Sequence, residues 1–414
     1  MKCRHCGTEL TLPFLDLGSA PPSNSYLTSA ALHAPEKWYP LRVMVCTECW
    51  LVQTEDFADC EELFSPDYAY FSSFSDSWLR HARGYVEAMA ERFALGTHSH
   101  VVEIAANDGY LLQYVRERGI PCLGVEPTAS TAAAAREKGI EVVESFFGRR
   151  LANELLAAGK AADLMAANNV LAHVPDINDF VAGFAILLKE NGVATFEFPH
   201  LLRLVEGVQF DTVYHEHFSY LSLSAVARIF ERNGLRVCDI EELPTHGGSL
   251  RVFAQRAATG TLPVAASVGE MLARERAAGM TAAPYYQDFQ PRAEKIKDDL
   301  LQFLIDAKRS GKTVAAYGAA AKGNTLLNFA GIRADLVEFV VDRNPAKQGK
   351  FMPGSRIPIV GEDRLKAVRP DVVIVLPWNL STELGRQLAY VGDWGGELVA
   401  AVPEFHRLPL ASAI

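Results

Sequence analysis

The chain has 414 residues, 49% hydrophobic and 22% charged, with a formal net charge of -10 at pH 7. That length exceeds one comfortable core and predicts two or three domains of ordinary globular composition. The acidic balance and the lack of a long basic run count against a nucleic-acid duplex or an anionic membrane surface as partner, while a local pocket can still take a small phosphate-bearing ligand.

The amino terminus, Met1-Lys2-Cys3-Arg4-His5-Cys6, has no apolar h-region or cleavage site, so a secretory signal is not expected. No apolar run is long enough to span a bilayer, and the expected location is cytoplasmic. The seven cysteines are odd in number and unevenly placed, which does not suggest a disulfide framework. Four of them form two Cys-x-x-Cys pairs, Cys3/Cys6 and Cys46/Cys49. Two such knuckles can turn four thiolates toward one point, the S4 set that suits structural zinc. Gly7 supplies the turn after the first knuckle. Reduced core thiols are the bland alternative, and His5 is an alternative ligand. The segment 7–45, with Pro13, Pro21 and Pro22, reads as a loop-rich excursion. Cys60, Cys122 and Cys238 read as buried small hydrophobes.

From His100 the pattern becomes alternating strand and helix. The strand-like runs are His100–Ala105, Ile120–Val125, Asp163–Ala167, Val193–Phe198, Leu235–Ile240 and Ser249–Ala254, which predicts a doubly wound α/β sheet. Glu103, Asn107, Asp108 and Gly109 form a turn that lets backbone amides approach a ligand after the first strand. Glu126 ends the second strand, where a carboxylate can hold a ribose diol. Ala105 and Ala106 stand where the dinucleotide fingerprint would need glycines. The spacing therefore favours S-adenosylmethionine over NAD, with a bare strand-turn-helix as the alternative.

Tyr214-His215-Glu216-His217 concentrates proton-handling groups beyond the strand Val193–Phe198, in a loop before the next helix. A solvated turn with coincidental histidines is the competing reading. If the segment is extended, His215 and His217 face opposite ways. His173 reads equally as a satisfied core histidine. His246, in Thr245-His246-Gly247-Gly248, reads equally as a substrate contact or a plain β-turn. Residues Val264–Ser310 read as largely helical. A second α/β pattern follows, with strands Lys312–Tyr317, Leu336–Val341, Asp371–Leu376 and Glu397–Ala401. Its turn carries Gly318, Lys322 and Gly323, which can hold a diphosphate; a repeat that only buttresses its neighbour is the alternative. Asp342 ends its second strand, in the ribose position.

These motifs together resemble the three-domain sugar C-methyltransferases of bacterial deoxysugar pathways. The resemblance covers nearly the whole chain and is closest in layout to the C-3'-methyltransferases of tetronitrose and kijanose biosynthesis. It rests on the paired cysteines, Glu103-Ile104-x-x-Asn107-Asp108-Gly109, Tyr214-His215-Glu216-His217 and Tyr317-Gly318-Ala319-Ala320-Ala321-Lys322-Gly323. Ala105 departs from a frequent glycine. The fold it implies is a zinc-binding module at 1–66, a Rossmann-like methyltransferase domain at 67–260 and a Rossmann-like nucleotide-sugar domain at 261–414. It implies S-adenosylmethionine at Glu103, Ala105, Asn107, Asp108, Gly109, Glu126 and Asn168. His217 would be the general base, with Tyr214, Glu216 and His173 around the reacting sugar. Tyr68, Tyr70, Phe71, His215, Gly318, Lys322 and Gly323 would bind the nucleotide-sugar, and Cys3, Cys6, Cys46 and Cys49 the zinc. A monomer acting on a small molecule, without nucleic acid or membrane, is expected.

The chemistry demands such a set. Carbon becomes a nucleophile as an enolate, and a ketone at C-4 acidifies C-3. A neutral imidazole can take that proton near neutral pH, and nearby donors must hold the oxyanion. A nucleotide-sugar oxidoreductase or epimerase and a non-catalytic zinc-bearing binding protein are the competing readings.

Overall fold

The computed structural model describes residues 1–57 and 71–409. Three sheets organise the chain. The first is antiparallel, in the order β1 (Leu12–Ala20), β2 (Tyr39–Val45), β3 (Val52–Thr54) and β9 (Ser219–Tyr220). Its fourth strand comes from far along the chain, with Val52 opposite Tyr220 and Gln53 opposite Ser219. The segment expected to be loop-rich thus contains two paired strands. Their register breaks between Pro13 and Leu15 and between Asp16 and Ser19. Such bulges spoil the strict alternation by which a strand is read from sequence.

The second sheet has seven strands in the order β10 (Leu235–Leu243), β11 (Ser249–Arg256), β8 (Leu188–Pro199), β7 (Ala162–Asn168), β4 (Val101–Ile104), β5 (Cys122–Val125) and β6 (Glu141–Val143). β4 to β8 run parallel, and β11 is antiparallel to both β8 and β10. The order reverses beside β4, so the carboxyl ends of β4 and β7 flank a switch-point crevice. β4 is buried along its whole length, as a central parallel strand covered on both faces must be. The helix Asp76–Arg92 is capped by Ser75, whose hydroxyl accepts from Trp78 N, and buries Ala82, Tyr85, Val86, Met89 and Ala90. That helical stripe packs in one apolar cluster with Val101, Leu164 and Phe253 of this sheet.

The third sheet runs β14 (Ile359–Val360), β13 (Val340–Val341), β12 (Val314–Tyr317), β15 (Val372–Val375), β16 (Glu397–Ala400) and β17 (His406–Leu408). All pairs are parallel except β16 with β17. The expected helical connection appears as Ala266–Ala277, Pro284–Gln287 and Phe289–Arg309. One apolar core joins β1 and β2 to the third sheet, through residues such as Phe14, Leu41, Leu300 and Ile374. A second joins the cysteine knuckles to the seven-stranded sheet. The first sheet is therefore wedged against both neighbours. Among the described residues no helix is long and apolar enough to cross a membrane.

Candidate active site

A cavity of about 730 Å³ opens along the carboxyl end of the seven-stranded sheet and reaches the third sheet. Ala105, Asn107, Glu126, Asn168, His173, Tyr214, His217 and Lys322, all singled out in the sequence, border it. Gly109 does not. It shapes the turn, because its φ is +76° and a Cβ there would sit 2.4 Å from Ile140 Cδ1. Glu126 accepts from Asn107 N and from Thr128 N, both at 2.9 Å. Asn107 Oδ1 receives Ser72 N at 2.9 Å, and Asp108 Oδ2 receives Ser73 N at 3.3 Å. These two side chains thus fasten the segment leading into the helix Asp76–Arg92. Glu103 lies fully buried behind the turn, and burial drives its carboxyl well above the usual range. Phe71 packs edge-on against Phe74 and does not border the cavity. Tyr68 and Tyr70 lie outside the described residues.

The Tyr214–His217 motif is separated from β8 by the helix Leu201–Glu206 and a short turn, Phe210–Thr212. It runs into β9 rather than directly into a helix. His217 donates from Nδ1 to Thr212 O at 2.9 Å. That bond selects the tautomer whose Nε2 keeps its lone pair. His173 makes the same kind of bond to Glu216 O at 2.8 Å. The two rings meet edge to face with centroids 4.6 Å apart, and Tyr214 lies 3.9 Å from His217. Burial pushes His217 well below the ordinary histidine range, with His173 adding to the effect, and holds His173 down to about 4. Both imidazoles are therefore neutral at pH 7.

Three elements hold this loop. Phe218 N bonds Ala172 O, Thr54 Oγ1 donates to the His217 carbonyl at 3.1 Å, and Thr325 Oγ1 donates to Val213 O at 2.9 Å. His215 turns away from the cavity, with Nε2 near the Tyr39 and Pro40 carbonyls. Glu216 is 1% exposed and stands behind the cavity wall.

On the far side, Lys322 sits in the first turn of the helix Ala321–Phe329. Its Nζ donates to Asn379 Oδ1 at 3.1 Å and lies 4.7 Å from the Trp378 ring. Trp378 Nε1 donates to buried Asp211 at 2.7 Å, and burial lifts that carboxyl to about 6. Gly318 and Gly323 are packing positions. Added Cβ atoms would meet Pro377 Cδ at 2.5 Å and Leu376 Cδ1 at 2.7 Å. Ala320, Ala321 and Lys322 form the cavity edge of that turn. Asp342 accepts from Ala319 N and Asn344 N, both at 2.8 Å, which repeats the bonding of Glu126.

The cavity also takes in Trp78, Asn169 and His246. His246 Nε2 accepts from Asn169 Nδ2 at 3.2 Å, and its ring lies edge-on to Trp78. Both His246 and Asn169 have positive φ. The two glycines after His246 hinted at it, whereas nothing in sequence marked Trp78, Asn24, Lys347 or Asn379.

The four sulfurs of Cys3, Cys6, Cys46 and Cys49 lie within 4.8 Å of one another. Cys3–Cys49 is 3.5 Å and Cys6–Cys46 3.4 Å, close to the roughly 3.8 Å edge of a tetrahedron with about 2.3 Å zinc–sulfur bonds. Four protein thiolates leave no open position, so the donor set fits a structural zinc. His5 turns instead to Asn178 at 2.8 Å. For the cofactor, buried Asn168 Oδ1 and Asn169 Oδ1 have no hydrogen-bond partner among the described residues. A cavity edge with such acceptors, a ribose-position carboxylate and an amide-rich turn fits S-adenosylmethionine.

Comparison with known proteins agrees. Residues 3–64 match a zinc binding domain family, 78–240 a methyltransferase domain family, and 244–403 the family described as C-methyltransferase C-terminal domain. Over 403 residues the chain is 34% identical to the C-methyltransferase NovU of Streptomyces niveus, covering 97% of this chain and 96% of that one. The chain belongs to the C-methyltransferase family. It is an S-adenosylmethionine-dependent enzyme with a zinc-binding domain, and the oxidoreductase and non-catalytic readings fall away. Among solved structures, magnesium protoporphyrin IX methyltransferase from Synechocystis PCC 6803 with bound SAM is 14% identical, covers 49% of this chain and all of its own, and has a TM-score of 0.35. A methyltransferase from Mesorhizobium loti is 15% identical, covers 42% and 100%, and has a TM-score of 0.34.

Proposed function

We propose that this C-methyltransferase methylates C-3 of a nucleotide-linked 4-keto-deoxysugar, with a thymidine diphosphate sugar as the expected form. The observation that carries the reading is the neutral His217–His173 pair, set in one cavity between the cofactor edge and Lys322. When bound, S-adenosylmethionine supplies an electrophilic methyl group. Glu126 holds its ribose, and Asn168 and the Ala105–Asn107 turn hold its amino-acid end.

His217 Nε2 takes the proton from C-3, and the Thr212 carbonyl steadies the imidazolium that forms. Tyr214 donates to the oxygen at C-4 as charge develops there. His173 keeps the base desolvated. Lys322 and the backbone amides of Ala321 and Lys322, at the start of the helix Ala321–Phe329, face the diphosphate.

Mass spectrometry of thymidine and guanosine 4-keto-6-deoxysugars, incubated with the protein and S-adenosylmethionine, tests this. One added methylene on the sugar, with matching S-adenosylhomocysteine, is the expected result. Methylation of a non-sugar acceptor with none on this panel would overturn it.

A further inference from the structure

The chain between β1 and β2 crosses from the first sheet to the third and back. Ser25 N bonds Pro22 O at 3.1 Å, closing a tight turn. Beyond it, Tyr26 Oη donates to Ala319 O at 2.6 Å. Leu27 and Phe351 exchange both backbone bonds, at 3.0 and 2.8 Å. Lys347 Nζ reaches the same Ala319 carbonyl at 2.7 Å and lies 5.1 Å from the Tyr26 ring. The turn is therefore pinned, and it brings Asn24 into the cavity wall.

Glu216 accounts for how Asn24 is held. Its Oε1 accepts from Asn24 Nδ2 at 3.2 Å, while its buried Oε2 has no hydrogen-bond partner among the described residues. A carboxylate only accepts, so the amide must turn its NH2 end toward it. Asn24 Oδ1 is then the end of the amide that Glu216 does not engage. An acceptor presented in this way selects a hydrogen-bond donor.

We propose that Asn24 recognises one hydroxyl or amino substituent of the sugar ring through Oδ1, with Glu216 as its positioning residue. This rests on the nucleotide-sugar reading above. It assigns to the zinc-binding module a residue that reads the substrate, and it moves the glutamate of the four-residue motif one step back from the sugar.

The test compares kcat/KM for the donor-bearing sugar with that for analogues lacking each ring hydroxyl or amino group in turn. Wild type should lose roughly 10- to 100-fold on one analogue, since the acceptor that the bound sugar covers is left unpaired there. Asn24→Ala should erase that discrimination, with bound zinc and the S-adenosylmethionine Kd serving as folding controls. Glu216→Gln, which no longer dictates the amide's orientation, should blunt the discrimination while keeping zinc. Full discrimination in Asn24→Ala would overturn the inference and leave the sugar reading intact. Wild type that methylates no nucleotide-sugar would remove both. Should Asn24→Ala lose zinc, Glu216→Gln with undiminished discrimination would refute the proposal by itself.

Discussion

Acidification should destabilise this protein through its buried neutral histidines. Burial holds His173 and His246 down to about 4, from an ordinary 6.5. The unfolded chain takes up protons as pH falls through 6.5, while the folded chain does not until about pH 4. Stability is therefore full above the unfolded value and is lost as pH falls below it. Each pH unit in that window costs about 1.4 kcal/mol per histidine, so about 2 kcal/mol each by pH 5. Both rings form cavity wall rather than solid core, and water in the cavity reduces the penalty, so roughly 4 kcal/mol for the pair is a ceiling. That is a large share of a typical folding free energy of about 5–15 kcal/mol. The assay is denaturant unfolding at pH 7.5 and pH 5, comparing wild type with His246→Asn. Asparagine tolerates the positive φ at this position and does not titrate. Zinc release and carboxylate titration affect both proteins alike, so the difference isolates His246. The variant should lose up to about 2 kcal/mol less on acidification. Equal losses would refute the reasoning.

Three further outcomes are expected. His217→Asn should keep S-adenosylmethionine affinity and lower kcat by roughly 100- to 10,000-fold, the usual worth of a general base; the wild-type kcat/KM profile should stay level through pH 6.5, because burial keeps His217 neutral there. Ala105→Gly should stabilise by up to about 1 kcal/mol, since a left-handed alanine (φ +57°) costs roughly 1–2 kcal/mol and glycine returns part of that as unfolded-chain entropy; calorimetry showing a lower Tm would count against strain at this turn. Chelating the zinc should abolish methyl transfer at a concentration that leaves cofactor binding largely intact, because Thr54 and β3 of the zinc-binding sheet hold His217 and β9; metal analysis paired with calorimetric titration checks it, and parallel loss of both would refute it.

Parts of this architecture announce themselves in sequence and parts cannot. Central parallel strands such as β4, β7, β12 and β15 are short apolar runs buried on both faces, and a run of that kind needs no partner to be recognised. The strand expected at Leu336–Val341 pairs only over Val340–Val341. The first sheet was hidden for two reasons: bulges in β1 break its alternation, and β9 is two residues long and recruited from a distance. At the site, the Tyr214–His217 motif stood out in sequence because its residue types are improbable in a core, and its first and last residues do border the cavity. Asn24 was not, because a single asparagine after two prolines is an ordinary turn until the tertiary fold brings it beside Glu216.

Backbone strain is also built into the cavity rim, where four of the nine non-glycine residues with positive φ among the described residues lie. Ala105, Asn107, Asn169 and His246 all have φ between 50° and 57°, and all four border the cavity. None is glycine, and each conformation costs on the order of 1 kcal/mol. Such strain persists only where the surroundings over-determine it. Here Glu126 takes the amide of Asn107, and the Glu197 carbonyl takes the amide of Asn169 at 2.7 Å. The Glu197 carboxylate, wholly buried, meets Arg251 and His81 at 2.9 Å and Thr245 at 3.1 Å. That network anchors the residue beside His246 from one side while Asn169 holds the ring from the other. The rigid strand ends of β4, β5 and β8 thus impose the strained turns, rather than the turns shaping the sheet. A cavity built in this way is set before any ligand arrives, which is what a methyl transfer between two separately held molecules requires.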